Sequence, residues 1–140
     1  MLPLRILVVV PERHAREGLR TILSADGYDV SVAEDLLEAF ARLGAHSFDV
    51  LLLDSELPAG HKVIMHGLDL LALARRRDSG VCGIVMVSSL EGVPRDLTGQ
   101  GVLAILEKPV ELSRLRGELA AIAPGRGARI REWSGGGGRR

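Results

Sequence analysis

Short apolar runs without a polar face restrict what this chain can fold into. Residues 48–58 read Phe-Asp-Val-Leu-Leu-Leu-Asp-Ser-Glu-Leu-Pro, and the apolar part ends abruptly at Asp54. Such a run predicts a strand that is buried on both sides, as in a parallel sheet. Ligands of open parallel sheets bind beyond the carboxyl ends of the strands, so the Asp54 carboxylate is the first functional candidate. A lone aspartate in this place is more often only a cap, so the assignment depends on the other strand ends.

Four further apolar segments predict strands, and helical patterns alternate with them. The predicted strands are 5–10, 28–33, 81–87 and 102–106, together with the strand that ends at Asp54. The predicted helices run from about 15 to near 26–27, 36 to 43, 67 to 77 and 112 to 122, with a short or frayed helix between 92 and 101. Asp35, with Glu38 three residues on, resembles a capping box at the second of these helices. Five strands that alternate with five helices predict a parallel sheet with helices on both faces.

Length and composition indicate one domain and a tail. The chain has 140 residues, of which 46% are hydrophobic and 26% charged, as is ordinary for a globular domain. We predict a single domain over residues 1–123, because the helical pattern stops at Pro124. Residues 124–140 are rich in Gly and Arg and are expected to form a flexible tail, in which Ile130 and Trp133 are the residues able to pack on the domain.

Cysteine content and hydropathy bear on the cellular compartment. The single cysteine, Cys82, excludes an internal disulfide and fits a reducing compartment, and its apolar neighbours favour a packed thiol. No apolar run approaches the length needed to span a membrane, and the N-terminus lacks the pattern of a signal peptide. We therefore expect a cytoplasmic protein without a membrane partner.

Polar residues at the strand ends resemble the landmarks of response-regulator receiver domains, the aspartate-phosphorylated modules of two-component signalling. Asp54 matches the phosphoacceptor, Ser88 the hydroxyl residue and Lys108-Pro109 the Lys-Pro pair, in the order and spacing of that family. The resemblance covers about residues 4–123. It implies a flavodoxin-like (βα)5 fold with a doubly wound parallel sheet of strand order 2-1-3-4-5. It also implies that the three side chains converge and that the bond before Pro109 is cis.

The resemblance further implies a phosphoryl-transfer site. In this family a divalent cation and a lysine offset the charge of the aspartate and of the phosphoryl group. The implied cofactor is Mg²⁺ with Asp54 as a ligand, and the implied switch positions are Ser88 and Ile105. The acidic pair that usually helps to hold the cation is replaced by Val10-Pro11, and Glu12 is the remaining candidate ligand nearby. Losing the pair should weaken the metal site substantially.

Other departures from the family pattern are milder. Ile105 stands where the family usually has an aromatic residue, and Ser88 replaces the commoner Thr. The predicted loop from Ser55 to His66 is longer than usual. Its two histidines, His61 and His66, lack a third ligand, so a solvent-facing position is favoured over a metal role.

Three functions remain open at this point. The preferred one is a stand-alone, atypical receiver that acts through protein–protein interaction in a phosphorelay, with weak or absent phosphorylation at Asp54. Its partner would be a histidine kinase or another signalling protein. The alternative is a fully working phosphoacceptor that takes a phosphoryl group from a histidine kinase. In either case, enzymatic activity would be limited to self-phosphorylation and slow autodephosphorylation at Asp54.

The third possible function is nucleic-acid binding through the arginine-rich tail. The tail holds five arginines and one glutamate, but it has a single aromatic residue and no recognisable motif. Because no DNA-binding output domain fits within 140 residues, we expect no direct DNA binding.

Overall fold

A computed structural model describes residues 2–56, 63–94 and 97–122, and for residues 63–66 it describes the backbone alone. The strands are β1 (Arg5–Val9), β2 (Asp29–Ala33), β3 (Val50–Asp54), β4 (Cys82–Val87) and β5 (Val102–Glu107). The α-helices are α1 (Arg13–Ala25), α2 (Leu36–Ala45), α3 (Val63–Arg77) and α4 (Leu112–Ile122). A 3₁₀ turn, Thr98–Gln100, lies between β4 and β5.

The five strands form one parallel sheet in the order β2-β1-β3-β4-β5, which confirms the predicted fold. Neighbouring strands end almost level with one another. Val9 of β1 lies opposite Leu53 of β3, and Asp54 lies opposite Met86 of β4. The residues that follow β1, β3, β4 and β5 therefore meet at one edge of the sheet.

The buried strands explain why their sequences lack a polar face. Along β3, alternate side chains enter two separate apolar clusters, with Leu51 and Leu53 on one face and Val50 and Leu52 on the other. Helices α2 and α3 cover the first face, whereas α1 and α4 cover the second. Cys82 is buried within the second cluster, which confirms the predicted packed position of its thiol.

Two elements differ from the sequence-based expectation. Helix α3 begins at Val63, four residues before Gly67, so part of the predicted loop is helical. Apolar residues at 64, 68 and 71 continue the helical spacing toward the N-terminus, which accounts for the earlier start. Between 92 and 101, where a short or frayed helix was expected, the described residues contain the 3₁₀ turn and no α-helix. Gly92 (φ 81°) and Gly101 (φ 91°) both take left-handed backbone conformations that a right-handed helix cannot include.

Local capping agrees with the sequence pattern at α2. The Asp35 carboxylate accepts a hydrogen bond from the backbone N–H of Glu38 at 2.8 Å, and the Glu38 carboxylate accepts one from the N–H of Glu34. None of the helices in the described ranges is long and apolar enough to cross a membrane. The tail at 124–140, with Trp133, lies outside the described residues.

Candidate functional site at the carboxyl edge of the sheet

The ends of β3 and β5 bring Asp54 and Lys108 into direct contact. The Lys108 ammonium Nζ lies 2.7 Å from Oδ1 of Asp54. Asp54 is only 6% exposed, and a buried carboxylate is costly unless a cation or hydrogen-bond donors offset its charge. The backbone N–H of Glu56 supplies a second contact to Oδ1 at 2.8 Å. The lysine and the turn after β3 together hold this carboxylate in place.

Ser88 and Lys108 are carried to the same edge by backbone contacts just beyond the strands. Lys108 donates its backbone N–H to the carbonyl of Val87 at 2.7 Å, so the pairing of β5 with β4 continues to the end of the strand. Ser88 follows Val87 and is exposed. The Lys108-Pro109 peptide bond is cis, as the resemblance implied. The three side chains quoted for the resemblance are thus gathered at one place.

Glu56 completes this group, although the sequence analysis did not single it out. Its Oε1 lies 3.4 Å from the Lys108 ammonium, and its Oε2 accepts a hydrogen bond from the Ser88 hydroxyl. The Ser88 hydrogen bond and, after it, the positive charge of Lys108 lower the pKa of Glu56 below its ordinary value. The sequence signal that could have identified Glu56 is that a second carboxylate stands two residues after Asp54, just beyond the end of the same strand.

The end of β1 contributes an apolar side chain and two backbone carbonyls to this edge. Val10, at one of the two positions of the expected acidic pair, is 1% exposed and belongs to the apolar cluster under α1 and α4. The carbonyl oxygens of Val10 and Pro11 accept hydrogen bonds from the Arg16 guanidinium at 2.9 and 3.1 Å. Arg16 is nearly buried, with 12% of its side chain exposed, and lies 3.9 Å from a carboxylate oxygen of Glu34. This segment therefore packs and binds an arginine, and it offers no side-chain oxygen at 10 or 11.

Glu12 caps helix α1. Its two carboxylate oxygens accept hydrogen bonds from the backbone N–H groups of Ala15 at 2.8 Å and His14 at 3.0 Å. These two bonds are the main causes that lower the pKa of Glu12 below its ordinary value. Glu12 lines the same groove as Asp54, but both of its oxygens are engaged by the helix N-terminus. Its role as a metal ligand remains a prediction.

Glu12, Asp54 and Glu56 are carboxylates that line the groove at this edge, and a divalent cation here would bind to oxygens of this kind. Within residues 2–56, 63–94 and 97–122, no group of three or more His, Cys, Asp and Glu side chains is placed to hold a metal ion. Asp54 and Glu56 are neighbouring carboxylates, and Lys108 already contacts both. His61 and the side chain of His66 lie outside the described residues.

The remaining predicted switch position, Ile105, lies on β5. It is half-buried and packs against the apolar cluster under α2 and α3.

A groove of about 520 Å³ opens beside Asp54 and Lys108. Its apolar wall includes Leu19 and Ile22 of α1. The buried carboxylate thus faces a cleft with one polar and one apolar side.

Comparison with known proteins agrees with this arrangement. Residues 6–120 match the model of the response regulator receiver domain. The response regulator MprA of Mycolicibacterium vanbaalenii is 31% identical over 123 residues, which are 86% of this chain and 51% of that protein. The chain therefore spans about half the length of the curated relatives it matches.

Solved structures show the same fold. A CheY-like receiver domain protein from Methanospirillum hungatei has a TM-score of 0.71 at 26% identity, covering 85% of this chain and 92% of that one. The response regulator TrrA from Thermotoga maritima, solved in complex with Mg²⁺ and BeF, has a TM-score of 0.69 at 24% identity, covering 85% and 98%. With its topology, its site geometry and a family match over most of its length, this chain belongs to the response regulator receiver domain family.

Proposed function

We propose that this chain is an atypical receiver that acts in a two-component phosphorelay through protein–protein interaction, with weak or absent phosphorylation at Asp54. The observation that carries the proposal is the end of β1, where the acidic pair is replaced by a buried valine and by carbonyls bound to Arg16. The partner is a histidine kinase or another signalling protein, and the location is cytoplasmic. Mg²⁺ is the implied cofactor, and it is held weakly.

The remaining residues define what chemistry the site can still perform. An oxygen of Asp54 would form a bond to phosphorus while the bond from phosphorus to the donor breaks and the leaving group takes its electron pair. Both contacts that the described residues make to Asp54 are at Oδ1, which favours Oδ2 as the nucleophile. Lys108 would offset phosphoryl charge, and Ser88 would donate to a phosphoryl oxygen. When bound, Mg²⁺ would supply further charge neutralisation.

The alternative, a fully working phosphoacceptor, draws support from the same contacts. The 2.7 Å pair of Asp54 and Lys108 supports it, because phosphotransfer needs a carboxylate nucleophile with a cation close to it. The two proposals share Asp54, Ser88 and Lys108 and differ in the consequence of losing the acidic pair. A labelling experiment can therefore separate them.

The experiment is labelling of the full chain by acetyl phosphate in the presence of Mg²⁺. We expect slow, incomplete labelling of the wild type and none of Asp54→Asn. Restoring acidic residues with Pro11→Asp, and with Val10→Asp/Pro11→Asp, should raise the extent of labelling. Because Val10 is buried, the double variant could unfold, so Pro11→Asp alone is the decisive variant. Complete wild-type labelling at ordinary Mg²⁺ concentrations would favour the alternative.

We also propose that the domain ends near residue 123, since the helical apolar pattern stops at Pro124, and that residues 124–140 form a separate tail. Direct DNA binding is not part of the proposed function.

A further inference from the structure

We infer that the Glu56 carboxylate occupies, in the unmodified chain, the two groups that would receive an incoming phosphoryl group, so that Glu56 restrains phosphorylation and fixes Ser88 at the site. This inference rests on the proposed function in taking Asp54, Ser88 and Lys108 as the phosphoryl-binding site. It adds a residue and a mode of control to that site.

The geometry that supports the inference is the bridging position of Glu56. One carboxylate oxygen lies 3.4 Å from the Lys108 ammonium, and the other accepts the Ser88 hydrogen bond. Like this carboxylate, a phosphoryl group has anionic oxygens that accept hydrogen bonds, so it would bind to the same two donors. The Ser88 hydroxyl has one hydrogen to donate, so a phosphoryl oxygen that takes this hydrogen bond has to displace Glu56 from Ser88. The Lys108 ammonium has three N–H donors and already contacts two carboxylates, and there the phosphoryl group competes with Glu56 for the same positive charge.

The backbone explains why Glu56 is the residue that reaches both donors. Its N–H donates to Oδ1 of Asp54 at 2.8 Å, which fixes the turn directly after β3. From that anchored backbone the side chain spans from Lys108, at the end of β5, to Ser88, at the end of β4. An aspartate at 56 would be shorter by one methylene and could not keep both contacts without movement of the turn.

Two consequences follow for signalling. Ser88 is drawn toward the site by a carboxylate that belongs to the chain, so this part of the surface has one conformation without any phosphoryl group. A partner could then recognise the unmodified protein. The restraint is reversible, because the Glu56 side chain is 60% exposed and exposed ion pairs are weak. We therefore expect its removal to change ligand affinity by roughly tenfold, equivalent to about 1.4 kcal/mol.

The test uses three single variants of the full chain. Glu56→Gln keeps the shape of the side chain and removes its charge, whereas Glu56→Asp keeps the charge and removes the reach. Glu107→Gln is the matched control, since Glu107 is an exposed carboxylate that directly precedes Lys108 on β5. The measurements are the backbone amide NMR shifts of Ser88 and Lys108 without ligand, and titration with beryllofluoride in the presence of Mg²⁺.

If Glu56 bridges the two donors, both Glu56 variants shift the Ser88 and Lys108 amides and bind beryllofluoride at concentrations roughly tenfold lower. Glu107→Gln should do neither. Unchanged Ser88 and Lys108 amides in Glu56→Gln would overturn the inference, as would a Glu56→Asp variant that behaves like the wild type, because charge alone would then explain the effect. If these amides shift as expected while wild-type labelling by acetyl phosphate is complete, weak phosphorylation is wrong and the bridging role of Glu56 stands.

Discussion

The two sides of the carboxyl edge use equivalent backbone positions for different purposes. On the side formed by β3, β4 and β5, charged and hydroxyl side chains contact one another around the buried Asp54. On the side formed by β1, the chain places an apolar side chain in the core and gives its carbonyls to Arg16. The strands themselves are in register across this edge.

The difference shows that the fold sets where a site lies and that individual side chains set what it can bind. A parallel sheet brings its strand ends together whatever residues stand there. The absence of carboxylates at 10 and 11 leaves the end of β1 without side-chain oxygens there, while the Asp54–Lys108 pair is present. The same two positions can instead stabilise the fold, since the Val10 side chain is buried and Pro11 has no backbone N–H that needs a hydrogen-bond partner.

The largest effect is expected where an acidic residue is returned to the apolar side. Val10→Asp would place a carboxylate at a position that is 1% exposed, and an uncompensated buried charge costs about 3–5 kcal/mol of unfolding free energy. Mg²⁺ should recover part of the loss if the new carboxylate reaches the site. Urea unfolding with and without MgCl₂ measures both quantities. Pro11→Asp, at a half-buried position, is the control and should cost less than about 1 kcal/mol. A Val10→Asp variant as stable as the wild type would contradict the burial of residue 10 in the apolar cluster under α1 and α4.

The next effect concerns the charged side. Lys108→Met should lower the unfolding free energy by about 1–3 kcal/mol, because Asp54 is left buried beside Glu56 without its cation. Arg116→Met is a suitable control, since Arg116 forms a more exposed ion pair with Asp26 and exposed pairs contribute about 0–1 kcal/mol. Chemical denaturation of both variants gives the comparison. Equal losses would mean that the burial of Asp54 does not depend on the lysine.

A smaller effect is expected from the arginine that holds the β1 side. Arg16→Met removes the donor of two carbonyl hydrogen bonds, and we expect a loss of about 1–2 kcal/mol. Arg20, one turn later on α1, is 52% exposed and pairs with Glu17, so Arg20→Met should change the unfolding free energy by about 0.5 kcal/mol or less. Thermal unfolding monitored by circular dichroism measures the two variants together. A larger loss of stability in Arg20→Met than in Arg16→Met would contradict a stabilising role for the hydrogen bonds from Arg16 to the two carbonyls.

The smallest effect is expected from the cap of α1 and depends on pH. Because helix amides stabilise the ionised carboxylate, the pKa of Glu12 is lowered in the folded chain. Its contribution to stability is therefore complete above the ordinary carboxyl pKa and is lost as the pH falls through the lowered folded value. Carboxyl ¹³C shifts in a pH titration report the pKa directly. Glu12→Gln should lower the melting temperature slightly at neutral pH and leave it unchanged at acidic pH; a pKa at or above the ordinary value would contradict the capping role.

The sequence predicted the strands and their order because double-sided burial leaves a strong pattern. The alternation along β3 between two apolar clusters requires an apolar residue at every position, and the run from Val50 to Leu53 shows it. The convergence of Asp54, Ser88 and Lys108 followed from strand order and family resemblance. The ends of the helices were harder to predict. The early start of α3 depends on apolar residues whose spacing is also compatible with a loop.

Two features of the site could not be read from the sequence. The bridging position of Glu56 depends on the turn geometry after β3 and on the distance between the ends of β4 and β5. The use of the Val10 and Pro11 carbonyls by Arg16 is a contact between a side chain and backbone, and such contacts leave no periodic signal. Both features concern individual contacts at the site, and neither changes the fold.

The most direct test of the central claim is a Mg²⁺ titration of the full chain followed through the amide shifts of residues around Asp54. If the β1 side no longer supplies metal ligands, those amides should shift little and should not saturate at ordinary cellular Mg²⁺ concentrations, and Pro11→Asp should tighten the apparent binding. Saturation of the wild-type shifts within that range would contradict the account, because it would show that this receiver holds the cation without the acidic pair.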